Sequence, residues 1–148
     1  HREQLLILSR QIRQRMREYD NELYSLLKSV SGIGPLTSSA LITELGDINR
    51  FPHIDHLSSF VGLIPRVRES GETIHTGGIT FRCNSFLRTM LIEASWQAIR
   101  MDPALMQYYQ KHVINNKGHK VIIKIARKLL NRIRYVMKNR QPYVTGVA

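Results

Sequence analysis

Ser70 is a side chain of this sequence that could attack a phosphodiester. It precedes Gly71 in a polar segment, and Arg66 and Arg68 stand just before it. Arginines can hold the non-bridging oxygens of a phosphate and stabilise the negative charge of the transition state. The combination of these residue types makes Ser70 a candidate nucleophile toward nucleic acid.

A serine hydroxyl is a poor nucleophile unless a base or a metal ion lies nearby. Glu69 and Glu72 flank Ser70 but do not form the carboxylate cluster that would bind Mg²⁺. His53 and His56 are spaced to share a metal ion, but no third and fourth ligands follow at a useful spacing. We therefore expect no metal site and no cofactor in this chain. Residue chemistry alone favours an ordinary Ser–Gly turn over a catalytic serine.

The segment around Ser70, residues 62–80, has no helical period. Val67 and Ile74 stand singly among polar residues, and Gly77-Gly78 follow them. This pattern predicts a small exposed hairpin or an extended loop, with Ser70 near its tip.

A second candidate site is the glycine-rich break in residues 29–46. Gly32-Ile33-Gly34-Pro35 interrupts two helical patterns, as in a helix-hairpin-helix motif. Two glycines permit a tight turn and a close backbone approach, and the free N–H groups of the next helix suit a phosphate. The residues expected to contact nucleic acid here are Gly32, Ile33, Gly34 and Thr37, with Ile33 also anchoring the turn in its own core. The alternative is a plain tight turn between packed helices.

Charge is concentrated in the second half of the chain. The net charge is +11, and residues 75–148 hold 13 Lys and Arg against two acids, Glu93 and Asp102. A one-sided basic surface indicates a polyanionic partner, DNA or RNA, although a solvated face or an acidic protein partner would also fit. The basic residues expected at the interface, besides Arg66 and Arg68, are Arg82, Lys120, Lys124, Arg127, Lys128 and Arg132.

Helical periodicity accounts for the rest of the chain and predicts an all-α domain. Apolar residues at steps of three and four over residues 3–28 indicate an amphipathic helix, packed on the core or forming a coiled-coil arm. Pro35 and Gly46 bound a second helix, and Pro52 opens a short third. Asn84 caps a fourth that contains Trp96 as a core residue, Asp102-Pro103 opens a fifth that Gly118 ends, and the last spans about 119–138.

Composition limits the class of protein further. Cys83 is the one cysteine, which rules out an internal disulfide and fits a reducing cytoplasm. No apolar run approaches the ~18 residues of a membrane span. No signal peptide is visible, and residues 1–10 resemble the middle of a helix, so we expect a fragment of a longer protein.

The sequence motifs together resemble the C-terminal domain of the IS110 group of bacterial insertion-sequence transposases, which are related to the Piv invertases. The resemblance covers about residues 25–135. Its most specific pieces are Gly32-Ile33-Gly34-Pro35, Glu44-Leu45-Gly46-Asp47, Arg50-Phe51, Gly62-Leu63-Ile64-Pro65, Ser70-Gly71 and Gly77-Gly78-Ile79-Thr80. Phe81 departs from the pattern where a basic residue is common, and so do Cys83 in place of a glycine and Ser31 in place of a frequent proline.

The resemblance implies a two-domain recombinase. An N-terminal RuvC-like domain would carry four acidic residues that bind Mg²⁺, and a structured RNA would guide recombination. The serine that attacks DNA and forms a covalent link maps onto Ser70. DNA, a guide RNA and further copies of the protein are then the expected partners, with no membrane. The expected location is the bacterial cytoplasm, at the nucleoid.

The expected division of the chain follows from these assignments. Residues 1–28 would end a helical linker arm, and 29–148 would form the C-terminal domain. That domain would contain the helix-hairpin-helix at about 29–46, the serine loop at 62–80 and the basic helices at 84–140. Alone it should bind nucleic acid without recombining it. The rival interpretation is a non-catalytic module for nucleic-acid binding and dimerisation.

Overall fold

The structure is a computed structural model that describes residues 1–70, 73–79 and 83–145. These residues form six α-helices, one short 3₁₀ helix and one two-stranded hairpin. The expectation of an all-α fold class is confirmed, and the insert is the hairpin rather than an extended loop. The elements are α1 (Arg2–Leu27), α2 (Pro35–Leu45), a short 3₁₀ helix (Ile48–Arg50), α3 (Ile54–Val61), β1 (Pro65–Ser70), β2 (Thr73–Ile79), α4 (Ser85–Met101), α5 (Pro103–Val113) and α6 (Gly118–Asn139).

Helix α6 is the centre of the core. It packs against α4 and α5 most extensively and also contacts α1, α3 and the 3₁₀ helix. Its apolar side is fully buried because apolar residues recur at steps of three and four through its whole length. The buried residues of α6 are Val121, Ile122, Ile125, Ala126, Leu129, Leu130, Ile133, Val136 and Met137.

Helix α1 is divided in two by Asp20. The backbone of Asp20 leaves the helical region, at φ −156° and ψ 80°. Its Oδ1 accepts a hydrogen bond from the Leu23 amide at 3.0 Å and so caps the segment that follows. After the break Leu23, Tyr24 and Leu27 are buried, whereas before it Leu5 is 63% exposed. The first part of α1 is therefore an arm whose apolar stripe lies largely in solvent.

The turn between α1 and α2 is fixed by Gly32. Its φ is +82°, and a Cβ there would collide with the Ala94 carbonyl oxygen of α4. We expected Gly32 to let another molecule approach the backbone closely, but the atoms close to it belong to α4 of the same chain. Its conformational freedom therefore serves internal packing.

Three details of the predicted elements are wrong. Helix α3 begins at Ile54 rather than Pro52, because the 3₁₀ helix and an extended His53 precede it. Gly118 opens α6 instead of ending α5, since α5 already ends at Val113 and Lys117 is extended. Trp96 is 37% exposed and lies at the edge of the core, in an edge-to-face contact with Tyr109.

Candidate nucleic-acid interface

The hairpin that carries Ser70 is held at its root by the ends of α3 and α4. Gly62 ends α3 in the left-handed conformation, with its amide donating to Ser59 O at 3.1 Å and the Leu63 amide donating to Ser58 O at 2.8 Å. This is the Schellman arrangement, and it turns the chain sharply out of the helix. The chain returns at Asn84, whose amide donates to Phe60 O at 2.8 Å. Both ends of the insert are thus tied to the same helix.

Side chains reinforce this root. Cys83 fills the space beside Gly62, where an added Cβ would collide with its Sγ. Asn84 Oδ1 caps α4 by accepting from the Leu87 amide at 3.0 Å, and its Nδ2 donates to Glu44 Oε2 at 2.6 Å. The insert is therefore connected to α2 as well as to α3 and α4.

The strand register places Ser70 at the end of the hairpin. Ser70 pairs with Thr73, Arg68 with His75 and Arg66 with Gly77. Ser70 and Thr73 are the last described pair, which agrees with the expected place of Ser70 near the tip. Because positions two apart on a strand lie on the same face, 66, 68 and 70 share a face with 73, 75 and 77. Arg82, another residue expected at the interface, lies outside the described residues.

The strand register brings a further residue to the candidate site, one that the sequence alone did not indicate. His75 lies opposite Arg68 and therefore on the face of Ser70. No local signal in the sequence marked it, because its position depends on which residues pair across the two strands. A histidine, two arginines and a serine then occupy one face of the ribbon.

The Gly-Ile-Gly turn presents one open position. Ile33 is buried, as expected. No atom would lie within 4 Å of a Cβ on Gly34, and Gly34 precedes α2 with no side chain capping the first turn. Thr37 is half-buried in that turn, while Ser38 is buried and its hydroxyl donates to Gly34 O at 2.9 Å. The backbone at Gly34, and not at Gly32, is the part of this turn that another molecule can approach.

A stripe of polar residues runs along α6, all of them exposed except the partly buried Arg127. We call it the α6 basic face; it comprises Lys120, Lys124, Arg127, Lys128, Asn131 and Lys138. Two cations also lie at the start of the helix, where Lys117 and Lys120 are close to the positive end of its dipole. Each cation there is unfavourable by some tenths of a kcal/mol. An anionic partner would relieve that cost.

Not every predicted cation of α6 is free. Arg127 pairs with Asp55 at 3.0 Å in an exposed ion pair. Arg132 Nη1 lies 2.6 Å from the carboxylate of buried Asp102, so Arg132 faces inward. Within the described residues Lys120, Lys124 and Lys128 form no ion pair. These three lysines are the part of the predicted set that remains open to a phosphate.

Asp102 and Tyr143 complete the surroundings of Arg132. The Asp102 carboxylate also accepts from the Ala104 amide at 2.9 Å and so caps α5. The Arg132 guanidinium lies 4.5 Å from the centre of the Tyr143 ring. Burial raises the pKa of Tyr143 above its ordinary 10.0; Arg132 opposes this shift and Asp102 adds to it.

Arg50, from one of the motifs quoted above, stabilises the framework around the hairpin. Arg50 donates from Nε to Leu45 O at 3.0 Å and from Nη2 to Glu44 O at 3.1 Å, which satisfies the end of α2. Its guanidinium stacks over the rings of Phe51 and Phe60, 4.6 and 5.0 Å from their centres. These contacts join α2, the 3₁₀ helix and α3 beneath the insert.

Among the residues whose side chains the structure describes, 1–64 and 83–145, no three side chains of His, Cys, Asp or Glu are grouped to hold a metal ion. His53 and His56 have ring centres 5.7 Å apart. No helix in these ranges has the length and apolarity needed to cross a bilayer.

Comparisons with known proteins identify several relatives. The chain is 33% identical over 126 residues to the pilin gene-inverting protein of Moraxella bovis, covering 83% of this chain and 39% of that protein. It is 38% identical over 80 residues to the transposase for insertion sequence element IS1111A of Coxiella burnetii, covering 54% and 22%. It is 29% identical over 110 residues to an insertion element IS110 protein of Streptomyces coelicolor, covering 74% and 27%.

The chain therefore spans well under half the length of these relatives. A family model for the transposase IS116/IS110/IS902 family matches residues 24–110, which is more than half of the chain. The matched region includes the Gly-Ile-Gly turn, the rooted hairpin and α4. On this match, the chain belongs to the IS116/IS110/IS902 family of transposases.

Proposed function

We propose that this chain binds DNA and supplies the nucleophilic serine of an insertion-sequence transposase. Ser70 Oγ would attack a DNA phosphate, form a phosphoserine ester and release a DNA hydroxyl group. A RuvC-like domain outside this chain would provide the Mg²⁺-binding carboxylates. The metal ion that Ser70 needs would thus arrive from another domain or another subunit.

The observation that carries this proposal is the position of Ser70 on the rooted hairpin. Ser70 is the last paired residue of β1, and Arg66, Arg68 and His75 share its face of the ribbon. Arginine suits the charge of a phosphoryl transition state, and histidine is the commonest general base. A root tied to α2, α3 and α4 supports the hairpin on rigid elements, as a catalytic group requires.

The α6 basic face and the Gly34 backbone would hold the nucleic acid. Lys120, Lys124 and Lys128 can neutralise phosphates without reading a base sequence, and the open start of α2 can add backbone N–H donors. The names of the relatives, transposase and gene-inverting protein, favour DNA as the substrate. A structured guide RNA is the second nucleic acid that we propose for the complete protein.

The arm of α1 would join copies of the protein. Its exposed apolar stripe borders a groove of about 1080 Å³ between α1, α2 and α4, lined in part by Ile12, Leu36 and Phe86. An apolar helical stripe at coiled-coil spacing is suited to packing against a second helix. Light scattering on the chain with and without residues 1–19 tests this, because removal of the arm should leave a monomer.

The test of the catalytic assignment is Ser70→Ala in the full-length transposase, with Ser85→Ala as the matched control. Ser85 is an exposed serine at the start of α4, near the same root. We expect Ser70→Ala to abolish strand joining while DNA binding stays within about twofold, since a lost nucleophile removes chemistry and not contacts. Ser85→Ala should retain both.

The alternative is a non-catalytic module for nucleic-acid binding and dimerisation. It is favoured by the α6 basic face and the apolar arm, neither of which requires Ser70. If Ser70→Ala joins strands as well as the unmodified protein, this alternative replaces the catalytic one.

A further inference from the structure

An aromatic groove lies between α5, α6 and the C-terminal segment. It has a volume of about 830 Å³, and its lining includes Tyr108 and Lys111 of α5, Lys128, Arg132 and Tyr135 of α6, and Tyr143. We call it the tyrosine groove. The sequence gives no sign that these residues are neighbours, because they meet only where α5 and the C-terminal segment pack on α6.

Two of its rings already have cationic partners. Tyr108 stacks on His112 with ring centres 4.0 Å apart, and Lys128 Nζ lies 4.4 Å from the centre of the Tyr108 ring. Tyr143 lies beneath the Arg132 guanidinium. Tyr135 is different: it is 49% exposed, and its hydroxyl donates to Gln141 Oε1 at 3.1 Å. The hydroxyl of Tyr135 is therefore fixed by a hydrogen bond, while the ring is partly exposed to solvent.

The groove is positively charged. Arg132 is balanced by Asp102 beneath it, but Lys111 and Lys128 are exposed and have no acidic partner among the described residues. No carboxylate lies among the residues that line the groove. Gln107 and Asn131 add amide groups that can both donate and accept hydrogen bonds.

We propose that the tyrosine groove binds an unpaired nucleotide of a DNA strand. The base would stack on Tyr135, the amides would meet its polar edge, and Lys111 and Lys128 would hold the flanking phosphates. Aromatic rings beside cations are the combination that single-stranded nucleic acid requires, and stacking on a ring needs a base whose face is free. A paired base inside a duplex has no free face to offer.

This inference rests on the proposed function, because strand exchange must unpair bases near the point of cleavage. The tyrosine groove would be a second binding site, which holds a displaced single strand. The first site is the set of α6 lysines, which a duplex could reach. Lys128 belongs to both, whereas Lys120 and Lys124 lie outside the residues that line the groove.

The experiment measures the affinity of the chain for a labelled oligo-dT, for a duplex of equal length and for oligo-U at one fixed salt concentration. Tyr135→Leu should weaken oligo-dT binding about tenfold and change duplex binding less than about twofold. Tyr19→Leu is the matched control, since Tyr19 is an exposed tyrosine on the α1 arm. Lys128→Gln should weaken oligo-dT binding more than Lys138→Gln, an exposed lysine of α6 outside the groove.

The outcomes separate the two proposals. If the unmodified chain binds neither the single strand nor the duplex, the proposed nucleic-acid function itself fails. If it binds both and Tyr135→Leu affects neither, or both equally, the groove proposal alone is overturned. A loss confined to oligo-U would overturn it as well, because it would assign the groove to RNA.

Discussion

Asp102 Oδ2 lies 2.6 Å from Arg132 Nη1, and this ion pair joins the first residue before α5 to the middle of α6. The Asp102 side chain is fully buried and the Arg132 side chain is 14% exposed. The carboxylate also caps α5, so one acidic side chain fixes the start of one helix and its packing on another. Arg132 thereby acts within the fold, unlike the lysines near it.

We expect Arg132→Leu to lower the free energy of unfolding by about 3 kcal/mol. Removing one partner leaves a buried charge without compensation, and such changes typically cost about 3–5 kcal/mol. Urea unfolding measures the effect. Arg127→Leu is the control on the same helix, because it breaks an exposed pair with Asp55 and should cost less than about 1 kcal/mol. Equal costs for the two variants would contradict the assignment of Arg132 to the fold.

The two glycines of the Gly-Ile-Gly turn should respond differently to alanine. Gly32→Ala combines a φ of +82° with a collision against the Ala94 carbonyl oxygen, so it should cost at least about 2 kcal/mol of stability. Gly34→Ala meets no atom within 4 Å and should change stability by less than about 0.5 kcal/mol. Thermal unfolding of both variants measures this. If Gly34→Ala were the more destabilising, the close packing of the turn on α4 would be wrongly described.

Replacement of lysines on the α6 basic face should change the salt dependence of DNA binding. For the double variant Lys120→Gln with Lys124→Gln, the slope of log K against log salt should fall by about two, roughly 0.9 for each lost phosphate contact. Affinity titrations at several salt concentrations give the slope. The pair Arg10→Gln and Arg17→Gln removes the same charge from the exposed α1 arm and should leave the slope nearly unchanged. If the DNA affinity of the unmodified chain did not change with salt concentration, an acidic protein partner would be favoured instead.

Tyr143 should make stability fall at high pH. Its pKa is raised in the folded chain by burial, so the folded state holds the phenol proton more tightly than the unfolded state does. The stabilising contribution is complete below the unfolded value of about 10 and is lost as the pH rises through the raised folded value. Denaturant unfolding at about pH 9 and about pH 11 compares the unmodified chain with Tyr143→Phe. The unmodified chain should lose more stability than the variant between these values; an equal loss would contradict the raised pKa.

Local sequence patterns were enough to predict most helices, and they included the hairpin as one of two alternatives for residues 62–80. Pro35, Gly46, Asn84 and the Asp102-Pro103 pair act on their immediate neighbours, so their capping roles could be predicted without a tertiary structure. Gly118 was misassigned because a glycine can end one helix or begin the next. Its neighbour in space is the Tyr109 hydroxyl, only 3.0 Å from where a Cβ would lie. No pattern in the sequence around Gly118 indicates this close contact between α5 and α6.

The parts of the site that were missed depend on long-range contacts. Arg132 appeared to belong to the cationic surface because its partner, Asp102, lies 30 positions away. Gly32 appeared free to meet a ligand because Ala94 lies in another helix. The place of His75 follows from strand pairing, and the tyrosine groove follows from the packing of α5 on α6. Composition and periodicity indicate which side of a helix is charged or apolar. Which residues contact each other across elements can be known only once the packing of the helices and strands is known.

The central claim is that Ser70 becomes covalently joined to DNA, and a direct measurement is to locate that link. The full-length transposase is incubated with a labelled DNA substrate and Mg²⁺, denatured and digested, and the DNA-linked peptide is sequenced by mass spectrometry. We expect one linked peptide that contains Ser70, absent from Ser70→Ala and present in Ser85→Ala. A DNA link at another residue, or strand joining with no protein–DNA link at any stage, would contradict the account.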